Sequence, residues 1–279
     1  MSPRAQLLAG ATVFLAGAVG VAAGYRPVSA FSYPILWWGL LPALDAIHYL
    51  RWHTSPMRRD WRHFAGITVP ASVLFWLTYE YLNLAFPQWA YSGYFEGRFV
   101  ESAIGVLSFA TVIPIMVELH WFFAGPEPRL RPVTRLGSSI FVAAGALALA
   151  LPLLTDWFWM NQAAWAGPAL LLLPFVGVAG FAAVPTGLAA GFLWELLNYW
   201  SLTKWRYTIH PEWPKLFEMP LLGYLGFIPF AFSTLALYAV LRRVRPRAPT
   251  IAALWVAAAA AMLAITVVWA VRGFYTPLR

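Results

Sequence analysis

Stretches of about 18–25 residues carrying no Asp, Glu, Lys or Arg, or just one, recur along this chain, and that length suits a bilayer core about 30 Å thick. Composition points the same way, with 61% of residues hydrophobic and 11% charged, against about a quarter charged in a soluble domain. A water-soluble core of this size has no room for so much apolar side chain. Nine spans are expected, at about Ala5–Gly24, Phe31–Leu50, Gly66–Phe86, Phe99–Phe123, Leu136–Leu154, Gly167–Val184, Thr186–Leu202, Leu216–Leu241 and Ile251–Val271. The sixth and seventh divide one apolar stretch at Val184-Pro185-Thr186-Gly187, where Pro and Gly predict a turn. The first span, with Arg4 ahead of it, also has signal-peptide features, but its apolar run exceeds a usual signal core.

The net charge of +8 raises the question of a nucleic-acid partner, and the placement of the charges argues against one. Nearly all basic residues sit in short loops between apolar runs, and no Lys/Arg stripe lines a polar face. With the N-terminus inside, twelve face the cytoplasm: Arg4, Arg51, Arg58, Arg59, Arg62, Arg129, Arg131, Arg135, Arg242, Arg243, Arg245 and Arg247. Seven lie opposite: Arg26, Arg98, Lys204, Arg206, Lys215, Arg272 and Arg279. The bias predicts an inner (plasma) membrane protein, N-terminus in and C-terminus out. The Arg51–Arg62 loop also suits contact with anionic lipid.

The chain repeats itself. Glu80-x-x-Asn83, then Trp89-x-Tyr91, returns about 115 residues later as Glu195-x-x-Asn198, then Trp205-x-Tyr207. Glu101 and Glu218 each follow as an acid opening the next helix, with Ile113-Pro114 or Ile228-Pro229 beyond. The expected fold is therefore an all-α, polytopic transmembrane bundle. Residues 1–124 and 125–243 form two parallel four-helix repeats, and residues 244–279 add a C-terminal helix and tail.

Glu80 and Asn83, like Glu195 and Asn198, are three apart and share a helix face. A carboxyl at helix centre costs about 2.5–3.5 kcal/mol on insertion scales, so such residues face protein or water and mark function. Desolvation favours the neutral carboxylic acid, a proton donor that Asn could orient. The bland alternative is a hydrogen bond tying helices together. Trp89, Tyr91, Trp205 and Tyr207 suit a membrane interface, or an aromatic lid whose ring faces stabilise a cation. The 16 Trp, 12 Tyr and 20 Phe are enough to line a cavity. Asp45 and His48 share a face of the second helix, Glu118 and His120 lie near the end of the fourth, and His53 and His63 are in the basic loop. That mix suits Zn or Fe, but no HExxH or dense His repeat appears, so interfacial hydrogen bonding is the simpler account and no cofactor is assigned. The chain has no cysteine, and both lysines sit in one outer loop. Thiolate chemistry and an intrahelical Schiff base are therefore excluded. No P-loop, Rossmann fingerprint or nucleophile elbow is present.

A helix-terminal acid or amide, Trp-x-Tyr in a loop, then an acid opening an apolar helix resembles the integral-membrane lycopene cyclases of heterodimeric or fused type. The resemblance covers Glu80–Glu101 and Glu195–Glu218. Family members typically carry Pro-x-Glu-Glu at the last acid and three helices per half. This chain has a lone Glu101, or Phe217-Glu218-Met219-Pro220, and four. The resemblance implies proton donation to a double bond of an isoprenoid or carotenoid-like substrate, giving cyclisation or hydration in a dry aromatic cavity. Glu80, Glu195, Glu101 and Glu218 would be the acids, Asn83 and Asn198 the orienters, and the Trp-x-Tyr pairs the walls. Membrane lipids and a lipophilic small molecule are the expected partners, with a homo-oligomer or complex partner left open. A proton-coupled carrier or a non-catalytic subunit of a membrane complex remains the alternative.

Overall fold

The structure, a computed structural model, describes residues 1–94, 97–126, 131–155, 157–177, 180–210, 212–273 and 275–277, and most of these are helical. Arg129 and Arg279, both counted among the loop charges, fall outside that set. Among the described residues, five helical stretches are long and apolar enough to cross a membrane: Pro3–Ala22, Arg98–Ala124, Arg135–Leu154, Leu221–Leu241 and Ala248–Arg272. Leu8, Leu15, Leu147 and Val256 project from them, fully or half exposed, an apolar surface too broad for a water-facing monomer.

Helix α1 (Pro3–Ala22) starts at Ser2, whose hydroxyl accepts from the Ala5 amide at 3.2 Å, with Pro3 in the first turn where no amide is required. It packs on α2 (Ser32–Trp52) through small residues. A Cβ on Gly10 would lie 2.7 Å from the Gly39 carbonyl oxygen, and glycine removes that obstacle. A π turn at Phe64–Thr68 leads into α3 (Val69–Ala85), followed by α4 (Arg98–Phe109) and α5 (Val112–Ala124). Every residue from Val112 to Trp121 is buried, so α5 is the central post of the bundle. Helix α6 (Arg135–Ala150) packs on α8 (Gly167–Val176) and touches short α7 (Phe158–Ala163), α8 packs in turn on α10 (Phe227–Leu241), and α10 packs on α9 (Ala183–Tyr199). Helix α11 (Ala248–Arg272) lies against α3 and α4.

Two boundaries differ from the sequence expectation. The break between the sixth and seventh spans was placed at Val184–Gly187, yet α8 ends at Val176 and α9 begins at Ala183. Pro185 sits in the first turn of α9, where helices have no use for its missing amide. Gly187 serves a close approach rather than a turn, because a Cβ there would collide with the Phe227 carbonyl. The eighth span was placed at Leu216, yet β3 (Lys215–Leu216) and β4 (Met219–Pro220) form a small hairpin, and helical structure starts at Leu221.

The remaining strands bring the two repeated motifs together. β1 (Trp89–Tyr94) pairs antiparallel with β2 (Lys204–Tyr207), and β5 (Tyr275–Pro277) joins the other edge of β1 in parallel. Trp89 stands opposite Tyr207, Ala90 opposite Arg206, and Tyr91 opposite Trp205. Exchanging the two strands leaves that register unchanged, so each Trp-x-Tyr is read against the other in reverse.

Candidate functional site

The carboxyl ends of α3 and α9 carry the same device. Glu80, Asn83 and Glu195 are fully buried, and Asn198 is 2% exposed. Asn83 Nδ2 donates to the Trp89 carbonyl at 2.9 Å, while its Oδ1 accepts from the amides of Gln88 (2.8 Å) and Trp89 (3.2 Å). Asn198 does likewise on Trp205, donating to its carbonyl at 2.9 Å and accepting from its amide at 3.1 Å. The asparagines thus lock the strand backbone to the helix end. They do not hold the carboxyls, as the sequence had suggested, because an Asn near a helix end finds open backbone groups in the next segment to satisfy.

The carboxyls are gripped by the strands' side chains instead. Glu80 Oε1 accepts from Trp76 Nε1 (2.8 Å), Trp89 Nε1 (3.3 Å) and the Tyr91 hydroxyl. Glu195 Oε1 accepts from Trp205 Nε1 (3.0 Å) and the Tyr207 hydroxyl (3.1 Å). The second oxygen of each carboxyl, Oε2, is buried and meets no donor among the described residues. Burial first, and then the charge of the adjacent glutamate, pushes the Tyr91 and Tyr207 hydroxyls well above the ordinary tyrosine range. Both therefore remain donors.

With their polar edges held by the glutamates, the rings wall a cavity of ≈ 110 Å³. Its lining includes Trp76, Trp89, Tyr91, Trp205 and Tyr207, closed by Tyr33 and Trp194 from neighbouring helices. Trp194 Nε1 donates to the Tyr33 hydroxyl, and the Tyr33 ring meets Trp205 edge-on with centroids 5.8 Å apart. Glu101, in the first turn of α4 and 7% exposed, belongs to the same wall, as does Lys204.

Of the four predicted acids, Glu101 lines this cavity, Glu80 and Glu195 hold the edges of its lining rings, and Glu218 bonds Lys204, a lining residue. Glu218 lies in the β3–β4 turn rather than opening a helix. Its Oε1 takes Lys204 Nζ at 2.6 Å, and Nζ also donates to the Tyr199 carbonyl at 3.1 Å. Sequence reasoning missed Trp76, Trp194, Tyr33 and Lys204. Trp76 precedes Glu80 by four residues, one helical turn, and that spacing was the available signal.

The other polar group is a separate construction. Asp45 Oδ1 accepts from the Met57 amide at 2.8 Å, and Oδ2 from Gln6 Nε2 at 3.0 Å. His48 Nε2 donates to the Glu118 carbonyl at 2.8 Å and lies 3.3 Å from Glu118 Oε2. His120 bonds Thr186 at 3.0 Å, His63 bonds the Leu241 carbonyl at 2.8 Å, and His53 ends α2 with a left-handed backbone. Among the described residues no three His, Asp or Glu side chains are grouped to hold a metal ion.

No protein-family model, curated protein or solved structure matches this chain.

Proposed function

We propose that this protein is an intramembrane enzyme that protonates a carbon–carbon double bond of an isoprenoid-like lipid. One observation carries the reading: an apolar chamber lined by Glu101 and by Trp and Tyr rings whose polar edges are bonded to two buried glutamates. Glu101 donates its proton to one alkene carbon, the π electrons form the new C–H bond, and the neighbouring carbon becomes a cation. The faces of Trp76, Trp89 and Trp205 stabilise that cation as they would any other. A second double bond of the same chain then attacks it, and a proton returns to the Glu101 carboxylate, completing a cyclisation. Capture by water, with loss of a proton, completes a hydration instead. In this scheme Glu80 and Glu195 are positioning residues, fixing each ring through its N–H or O–H.

The topology adopted is nine spans, N-terminus inside the inner membrane, as two four-helix repeats and a final helix. It places the chamber in the outer half of the bilayer, where a lipid enters sideways. A proton-coupled carrier is the second reading. It is favoured by Asp45, His48 and Glu118, a further set of fully buried ionisable groups. Asp45 is twelve residues, about 18 Å, along α2 from the cavity residue Tyr33.

The test is to purify the protein in mild detergent, identify the co-purifying lipid by mass spectrometry, and assay its conversion. A stoichiometric isoprenoid turned over by the wild type and retained unconverted by Glu101→Gln supports the enzyme. Bulk phospholipid alone, with proton flux in vesicles that Glu118→Gln abolishes, supports the carrier.

A further inference from the structure

Behind the first chamber lies a larger one of ≈ 430 Å³. Trp76, Trp89, Tyr207 and Phe227 line both, so the two chambers adjoin at these rings. The far side of the second chamber is built by α7, Trp165 and the outer-loop residue Trp213. Trp89 and Trp165 pack with centroids 5.2 Å apart, and Trp165 stacks on Tyr79 at 6.1 Å.

Two amides break this aromatic lining, Gln88 at the residue before β1 and Gln162 from α7. Gln162 Nε2 donates to Gln88 Oε1 at 3.2 Å. Gln88 is only 6% exposed. Its amide donates to Asn83 Oδ1 at 2.8 Å and its carbonyl accepts from the Thr208 amide at 2.9 Å, so its backbone is fixed. Gln88 Nε2 and Gln162 Oε1 meet no protein partner among the described residues. An amide held in apolar surroundings is costly unless its open valences are filled. Here the two unpartnered atoms are one donor nitrogen and one acceptor oxygen, on side chains already joined to each other. A hydroxyl group requires that combination, since its oxygen accepts and its proton donates.

We propose that the second chamber seats the hydroxyl-bearing end of a long apolar chain, held by Gln88 Nε2 and Gln162 Oε1. The substrate class is therefore an isoprenoid-like lipid with an alcohol at the end remote from the reacting double bond. The inference rests on the reading of the first chamber as the reaction site, because the two chambers adjoin at their shared rings. Sites built to bond a substrate hydroxyl discriminate strongly against the analogue that lacks it.

The experiment is binding, not turnover. Retinol and deoxyretinol, the same polyene chain with and without its hydroxyl, are titrated into the detergent-solubilised protein, and quenching of tryptophan emission is read. Retinol is expected to bind about tenfold more tightly, the value of one or two neutral hydrogen bonds. Gln162→Leu should lower retinol affinity to that of deoxyretinol and leave deoxyretinol unchanged. Gln88→Leu should do the same, and Gln162→Leu decides the matter if Gln88→Leu does not fold. Equal affinities for the wild type would overturn the proposal and assign the amides to bound water. So would a preference that survives Gln162→Leu, or no binding of either polyene. Failure of the reaction assignment is seen separately, as full turnover by Glu101→Gln with the retinol preference intact.

Discussion

The two half-sites, one at the end of α3 and one at the end of α9, share a frame and differ in what the frame carries. In both, an asparagine locks a strand to its helix, and a buried glutamate collects the Trp and Tyr edges of that strand. The first half adds a third donor, Trp76, at the position where the second has Gly191, one turn before Glu195. Gly191 there lets the Phe227 ring lie against α9, since a Cβ would come within 2.6 Å of it. The acids that follow diverge further: Glu101 is buried in the cavity wall, and Glu218 is tied to Lys204 in a hairpin turn. Both Trp-x-Tyr pairs, which line the cavity, are common to the two halves, and what differs is Trp76 against Gly191 and the acid that follows.

The largest expected effect breaks the pair of acids apart. Glu101→Gln should reduce turnover about a hundredfold to ten-thousandfold, the range for a lost general acid. Glu218→Gln, which removes a partly exposed ion pair worth about 0–1 kcal/mol, should stay within about threefold. Equal losses would restore Glu218 as a chemical partner and sink the asymmetry.

The asparagines sharpen the shared part. Asn83→Ala leaves three backbone groups without their partner and Asn198→Ala two. Thermal unfolding in detergent should show losses of about 3 and 2 kcal/mol respectively, at roughly 1 kcal/mol per group. Two mutants with no loss would mean that the strands are held without them.

The tyrosines test equivalence through pH. The folded state holds the protons of Tyr91 and Tyr207 above the ordinary range. Their contribution to stability is therefore complete below the unfolded value of about 10 and is lost as pH rises toward the folded values. Stability should fall above about pH 10 by about 1.4 kcal/mol per pH unit for each tyrosine. Tyr91→Phe and Tyr207→Phe should flatten that slope by similar amounts. The smallest effect tests the extra donor: Trp76→Phe should cost about 1 kcal/mol and slightly loosen the Glu80 side alone.

The parts of this molecule that could be read from the chain were those with local signals. Charge-free runs predicted helices, and the spacing of Glu80 to Asn83 and of Glu195 to Asn198 placed each pair on one helical face. The strand pairing of Trp89 with Tyr207 had no such signal, because partners that far apart in sequence leave no period to detect. Gly187 was misread for a related reason. Turn and close-contact glycines look alike in a sequence, and only the neighbouring Phe227 carbonyl tells them apart. Glu218 was assigned by analogy with Glu101, while its partner Lys204 lies on β2, away from it in sequence. Gln88 and Gln162 carried no motif at all, and their role rests on a cavity that only the folded chain has.

The β1–β2 pairing has a consequence for biosynthesis. Residues 95–203 must be translated between the two strands, which takes about 5–20 s at ordinary rates of synthesis. Through that interval β1 has an open edge, ready to pair with a wrong strand, and Glu80 waits in the membrane without the wall that β2 completes. The insertion machinery must shelter that edge while the second half emerges. A ribosome that stalls before Lys204 leaves an aggregation-prone product rather than a half-active one.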